Sequence, residues 1–180
     1  MAYTACQLSA GLSLDCRDSN GGLEKVYIFT GNGGELSLTL TSGSECEVAE
    51  IAEDGTAIPT SDWYAFETPK QTSNLVETIT VSSENGTVFY EQVATLIFNK
   101  LQCTVRDQIL LLAKNTQLQV IAKDNNGEYW LIGALRGAEV TAGTSESGTA
   151  YGDRSGYSLT ITGREVAPMY TVDPSTVLGL

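Results

Sequence analysis

Along this chain apolar residues come in short runs that alternate with Ser, Thr or charged residues, and glycine-containing steps separate one run from the next. Period-two alternation is the mark of a strand with one buried face. Leu23, Val26, Ile28 and Phe29 make a first strand, ending at Gly31-Asn32-Gly33-Gly34, and Leu36, Leu38 and Leu40, alternating with Ser37 and Thr39, make a second. Trp63 to Phe66 is a short strand, with Trp63 and Ala65 opposite Tyr64 and Phe66, and Pro69 ends it. The longest pair spans about 75–98 and turns at Glu84-Asn85-Gly86-Thr87, an asparagine-glycine hairpin signal. With Asn85-Gly86 as a two-residue loop, Val81 faces Tyr90 and Leu75 faces Leu96. One side then gathers Leu75, Ile79, Val81, Val88, Tyr90, Ala94, Leu96 and Phe98. Arms of about twelve residues would reach roughly 40 Å, enough to outrun a small domain and meet a neighbour.

One helical period interrupts the strands. Ile109, Leu110, Leu112 and Ala113 recur at helical spacing over about 104–115, with Thr104 as the expected N-cap and Lys114-Asn115 closing the last turn. Gln117 to Lys123 and Glu128 to Leu135 follow, joined by Asp124-Asn125-Asn126-Gly127. A two-residue loop there sets Lys123 against Trp130, Ala122 against Leu131, Ile121 against Ile132 and Leu118 against Leu135. Both faces of this hairpin are then apolar, so one should be covered by the helix and the other by a second sheet. Ala138 to Ala142 and Tyr157 to Thr162 form a third pair around a Gly/Ser/Thr-rich loop at 143–156. The expected architecture is mainly β: an antiparallel β-sandwich with one packed helix, a protruding long hairpin, a single domain over 1–165 and an extended C-terminal arm over 166–180.

Composition narrows the chemistry. With 180 residues, 42% hydrophobic and 18% charged, the chain can build a core. Its net charge of −12 makes the general surface repel a nucleic-acid backbone. There is no histidine, and the four cysteines Cys6, Cys16, Cys46 and Cys103 contain no C-x-x-C pair, so no metal or cofactor is expected and the thiols read as small hydrophobes. A Cys6–Cys16 disulfide would require an oxidising compartment. Gly31 to Gly34 do not match a phosphate-binding loop, and at Asp124 the glycine falls in the wrong place for an EF-hand. The Ser and Cys residues have no recognisable base partner, so no catalytic residue is assigned and no enzymatic activity is expected. Residues 2–5 carry neither a basic n-region nor an apolar run, which leads us to expect a protein made intracellularly without a membrane span.

The run Asp124-Asn-Asn-Gly-Glu-Tyr-Trp-Leu-Ile-Gly133, then Arg136-Gly-Ala-Glu-Val-Thr141, Ser147-Gly148 and Asp153-Arg-Ser-Gly-Tyr-Ser-Leu-Thr-Ile-Thr-Gly-Arg-Glu165 resembles the C-terminal half of tail-tube-like virion proteins of tailed phages, particularly those of Bacteroidetes and crAss-like phages. Leu14 to Gly22 and Val26-Tyr27-Ile28 are more weakly similar to the start of the same group. The resemblance implies a β-sandwich with one helix that forms a homo-oligomeric ring, six- or twelve-fold, stacking on or capping a DNA channel. It implies other tail, neck or portal-side proteins as partners, a place in the virion, synthesis in the host bacterial cytoplasm, and passage of DNA without specific binding. On that reading the acids Glu45, Glu47, Glu50, Glu53 and Asp54, with Glu146 and Asp153 of the long loop, are candidates to line the channel and keep phosphates from adsorbing. Ile79, Val81, Asn85, Gly86, Val88 and Tyr90 are candidates to cross the protomer boundary. The alternative is a capsid-bound decoration or head-fibre attachment protein.

Overall fold

The computed structural model describes Gly11 and residues 19–180; Cys6, Cys16 and the Leu14–Asp18 stretch lie outside the described residues. The strands are β1 (Leu23–Thr30), β2 (Leu36–Leu40), β3 (Glu47–Glu53), β4 (Thr56–Ala57), β5 (Tyr64–Glu67), β6 (Asn74–Ser82), β7 (Thr87–Asn99), β8 (Leu118–Asp124), β9 (Tyr129–Ile132), β10 (Ala138–Glu146), β11 (Gly156–Glu165) and β12 (Tyr170–Val172). Helix α1 (Cys103–Lys114) precedes β8, and α2 (Pro174–Val177) follows β12. The protein is mainly β. One layer runs β5-β1-β8-β9-β12-β3-β2 and the other β10-β11-β7-β6, and a single bridge between Leu118 and Ala138 makes them one hydrogen-bonded sheet. All pairings are antiparallel except β12 on β3, so the sheet is mixed.

Two cores follow from the alternation in β1 and β8. Val26, Ile28, Val120 and Ala122 point to one side, where they meet Ala94, Leu96, Phe98, Leu159 and Ile161 of the other layer. Tyr27, Phe29 and Ile121 point to the opposite side, against Val48, Ile51, Trp63, Leu131 and Val172. The central hairpin is thus buried on both faces, as its sequence requires.

Its register differs from the expected one. Ile121 pairs with Leu131 and Lys123 with Tyr129, one residue away from a two-residue loop. The Asp124 carboxylate accepts from the backbone N–H groups of Asn126 and Glu128, and Asp124 N donates to Glu128 O, which holds a three-residue loop with Gly127 at φ +94°. β9 stops at Ile132, and Leu118 pairs with Ala138 rather than Leu135. In the long hairpin Ser82 pairs with Thr87, enclosing four loop residues, so Val81 faces Val88 and Ile79 faces Tyr90. That slip is even, and the side chains keep the predicted faces.

Helix α1 starts one residue before Thr104, with Gln102 as an N-cap that makes no side-chain bond. Of its apolar side chains only Leu112 is fully buried; Leu110 and Leu111 are exposed. The layer over the β1/β8 face is therefore mainly β7 and β11, and the helix adds to it only Leu112 and the partly buried Ile109. The 143–156 segment is also more ordered by strand than expected, since β10 continues to Glu146 and leaves a shorter loop.

The segment 166–180 is not an extended arm. β12 lies between β9 and β3, with Thr171 opposite both Trp130 and Glu47, and Val172, Val177 and Leu178 are buried. The turn into α2 is held by Asp173, whose carboxylate accepts from the Ser175 hydroxyl at 2.7 Å and the Ser175 N–H at 2.9 Å. These bonds, the hydroxyl's first, hold the Asp173 carboxyl below its ordinary 3.8. A depressed carboxyl contributes stability above its unfolded pKa and loses it as pH falls through the folded one. We expect the Val177 and Leu178 amides, which donate to Asp173 O and Pro174 O, to lose protection relative to their intrinsic exchange rates below about pH 3.8 while the β8 amides keep theirs. An equal loss of protection in β8 and α2 would refute this.

Candidate functional site

The long hairpin divides into a packed half and a projecting half. β7 pairs with β11 from Asn99 to Tyr90, and there β11 ends, so Thr87–Phe89 and their β6 partners Thr80–Ser82 form a two-stranded ribbon beyond the sheet. Three residue pairs and the turn carry it roughly 10 Å or more outward. Leu75, Ala94, Leu96 and Phe98 pack in the core below. Above, Ile79, Val81 and Val88 are 61, 63 and 50% exposed, with Tyr90 half-buried, and Phe89 is exposed on the other face. The candidate boundary residues Asn85 and Gly86 sit in the turn, where Gly86 adopts φ +62°.

A polar pair marks the boundary. Glu77 and Gln92 are cross-strand partners on the otherwise apolar face. Gln92, 1% exposed, donates from Nε2 to Glu77 Oε1 at 3.4 Å and accepts from Gly133 N at 3.2 Å; Glu77 Oε1 also accepts from Met169 N at 2.7 Å. This network ties the base of the hairpin to the turn after β9 and to the chain entering β12. Sequence reasoning missed both residues, although each interrupts the apolar alternation of its arm. It also missed Glu165, buried at the end of β11, whose Oε1 accepts from Leu135 N and Arg136 N at 2.9 Å each.

Several strand edges are left open among the described residues. β6 pairs only with β7, β5 only with β1, and β10 has a second partner only at Ala138. β6 carries one charge, Glu77, and neither Lys nor Pro, the usual guards against edge-to-edge association.

The acidic candidates separate by role. Glu53 Oε1 accepts from Asn32 N at 2.7 Å and Gly34 N at 3.0 Å, and Asp54 Oδ1 accepts from Glu35 N at 2.9 Å, so both organise the glycine-rich loop after β1. Asp153 accepts from the amides of Ala150 at 2.7 Å and Thr149 at 2.9 Å, which hold its carboxyl below the ordinary value, and Glu146 pairs with Arg154. Glu45 and Glu50 are exposed and Glu47 is half-buried. β3, which carries Glu47, Glu50 and Glu53, is an inner strand between β2 and β12 rather than an edge. The structure thus gives Glu53, Asp54, Glu146 and Asp153 local bonding partners and leaves Glu45 and Glu50 facing solvent.

Among the described residues no three or more His, Cys, Asp or Glu side chains come together as a metal-binding group, and no helix is long and apolar enough to cross a membrane. Cys46 and Cys103 are free and exposed, unlike the buried thiols expected. The search against protein-family models finds no match to this chain, and no curated protein matches it significantly.

Proposed function

We propose that this protein is a structural subunit of a virion, a tail-tube-like ring protein of a tailed phage that builds or lines the DNA-ejection channel through homo-oligomerisation and has no catalytic role. The observation that carries the reading is the projecting hairpin. Apolar side chains on both faces of a ribbon outside any core are costly to leave in water and favour association, and an unpaired strand edge beside them gives that association direction. A net charge of −12 would oppose indiscriminate contact between copies and would keep DNA from adsorbing to a channel wall. Of the candidate acids, Glu45 and Glu50 are the exposed ones without a local bonding partner, free to face such a channel.

Purified full-length protein should assemble into closed six- or twelve-fold rings, or stacked tubes, with a hole wide enough for duplex DNA. Mass in solution followed by negative-stain imaging reads this directly. A monodisperse trimer that binds capsid shells would support the decoration-protein alternative instead.

A further inference from the structure

Between α1 and β5 runs a groove, open on one side, in which apolar side chains alternate with uncharged polar ones and Glu67, at the far end, is the one charged lining residue. Tyr64, Phe66, Leu111 and Leu112 line a space of about 270 Å³. Phe66 and Gln108 continue into a second space of about 550 Å³ that reaches Phe98, Asn99 and Val105. Tyr64 and Phe66 lie two residues apart on one face of β5, and Leu111, 60% exposed, overhangs them from the helix. The wall that is missing is a strand. β5 has no partner on its outer side, and a strand added there would direct alternate side chains under Leu111.

We propose that the occupant is the projecting hairpin of a second copy, whose β6 edge at Thr78–Ser82 adds to β5 and lays Ile79 and Val81 in the groove. Thr78-Ile79-Thr80-Val81-Ser82 is uncharged, alternates with the same two-residue spacing as Tyr64 and Phe66, and exposes the two apolar side chains by about three-fifths each. Copies that each carry a net −12 must meet where acids are absent, and no charged side chain lines the Leu111 part of the groove. The chain cannot satisfy its own groove. Phe98 and Asn99 border the groove at one end of β7 and Thr87 opens the hairpin turn at the other, roughly 35–40 Å away for a strand of this length. The contact is therefore head-to-tail, and every copy that donates a hairpin presents an empty groove to the next. Such an interface closes into a ring or runs on as a filament. The inference rests on the ring reading in taking a second copy as partner, and it adds which surface receives the hairpin.

The test uses two variants at exposed positions, Val81→Lys on the hairpin and Leu111→Lys in the groove, each checked by circular dichroism for an unchanged melting curve. Each alone should run as a monomer where the wild type forms rings. An equimolar mixture should give a species of twice the monomer mass and nothing larger, because one intact hairpin and one intact groove remain between them. In wild-type rings the backbone amides of Tyr64–Glu67 should exchange about tenfold or more slowly than in dilute monomer, a measurement that holds even if a variant fails to fold. Rings that persist in either variant, a mixture that stays monomeric, or β5 amides that gain no protection would overturn the docking while leaving the ring reading standing. A wild type that stays monomeric at high concentration would overturn both.

Discussion

Deleting residues 166–180 is expected to abolish cooperative folding rather than to trim a tail. Val172, Val177 and Leu178 all sit in the core beneath β1 and β8. Losing them removes about 4–9 kcal/mol of apolar burial at roughly 1.5–3 kcal/mol per side chain, against a total stability of about 5–15 kcal/mol for an ordinary domain. The topological loss is larger. β12 is what joins β9 to β3, so without it β2, β3 and β4 lose their hydrogen-bonded connection to the rest of the sheet, and two inner edges are exposed to other chains. The truncated chain should show no sigmoidal melt by circular dichroism and should aggregate on expression. A truncated protein that stays soluble and melts cooperatively within a few degrees of the full chain would show that β12 is peripheral.

That result would also mark where the sequence stops being informative. β2, the long hairpin and β11 are legible because each carries its own period-two pattern, and β1 and β5 because each is a short apolar run bounded by turn residues or proline. β12 has three residues, lies between Pro168 and Pro174, and pairs with Glu47 and Val48, more than a hundred positions upstream, so no local window contains its reason for being a strand. Turn locations are legible for the same local reason, and loop lengths are not. Both asparagine-glycine signals mark real turns, but the Asp124 side chain captures two amides and lengthens one loop to three residues, while Ser82 and Thr87 close the other around four. Helix α1 has the period of a packed amphipathic helix. It packs on the expected face through Leu112 and Ile109 only, because the strands β7 and β11 occupy most of that face.

The candidate site was half legible. The apolar character of the hairpin arms reads directly from alternation, and an even slip in register preserved it. Where the arms leave the core depends on where β11 ends, a fact about a strand some seventy residues on. Only in the three-dimensional register do Glu77 and Gln92 become a pair that separates buried from projecting side chains. Acidic residues mislead for a related reason. A cluster in sequence reads as a charged surface, yet Glu53 and Asp54 spend their oxygens on backbone N–H groups of the loop before β2.

Gly133→Ala should be the most damaging single substitution at the junction of the two layers, costing about 3 kcal/mol and lowering Tm by roughly 6–12 °C. Gly133 adopts φ +72°, and a Cβ there would stand 2.6 Å from Ala138 N, 2.7 Å from Gly137 C and 2.8 Å from Leu118 O. All three are backbone atoms, and two belong to the Leu118–Ala138 pair that bridges the layers. None can swing aside as a side chain would. Moving Gly133 would also disturb its N–H bond to Gln92, and the neighbouring Leu135 and Arg136 amides are already fixed by buried Glu165. Gly43→Ala supplies the control, since Gly43 has φ +87° with nothing within 4 Å of the added carbon, and should cost only about 1 kcal/mol of backbone strain. Thermal melts of the two variants beside wild type separate crowding from conformation. If Gly133→Ala melts no lower than Gly43→Ala, the bridge tolerates displacement and the two layers are not locked together at Leu118 and Ala138.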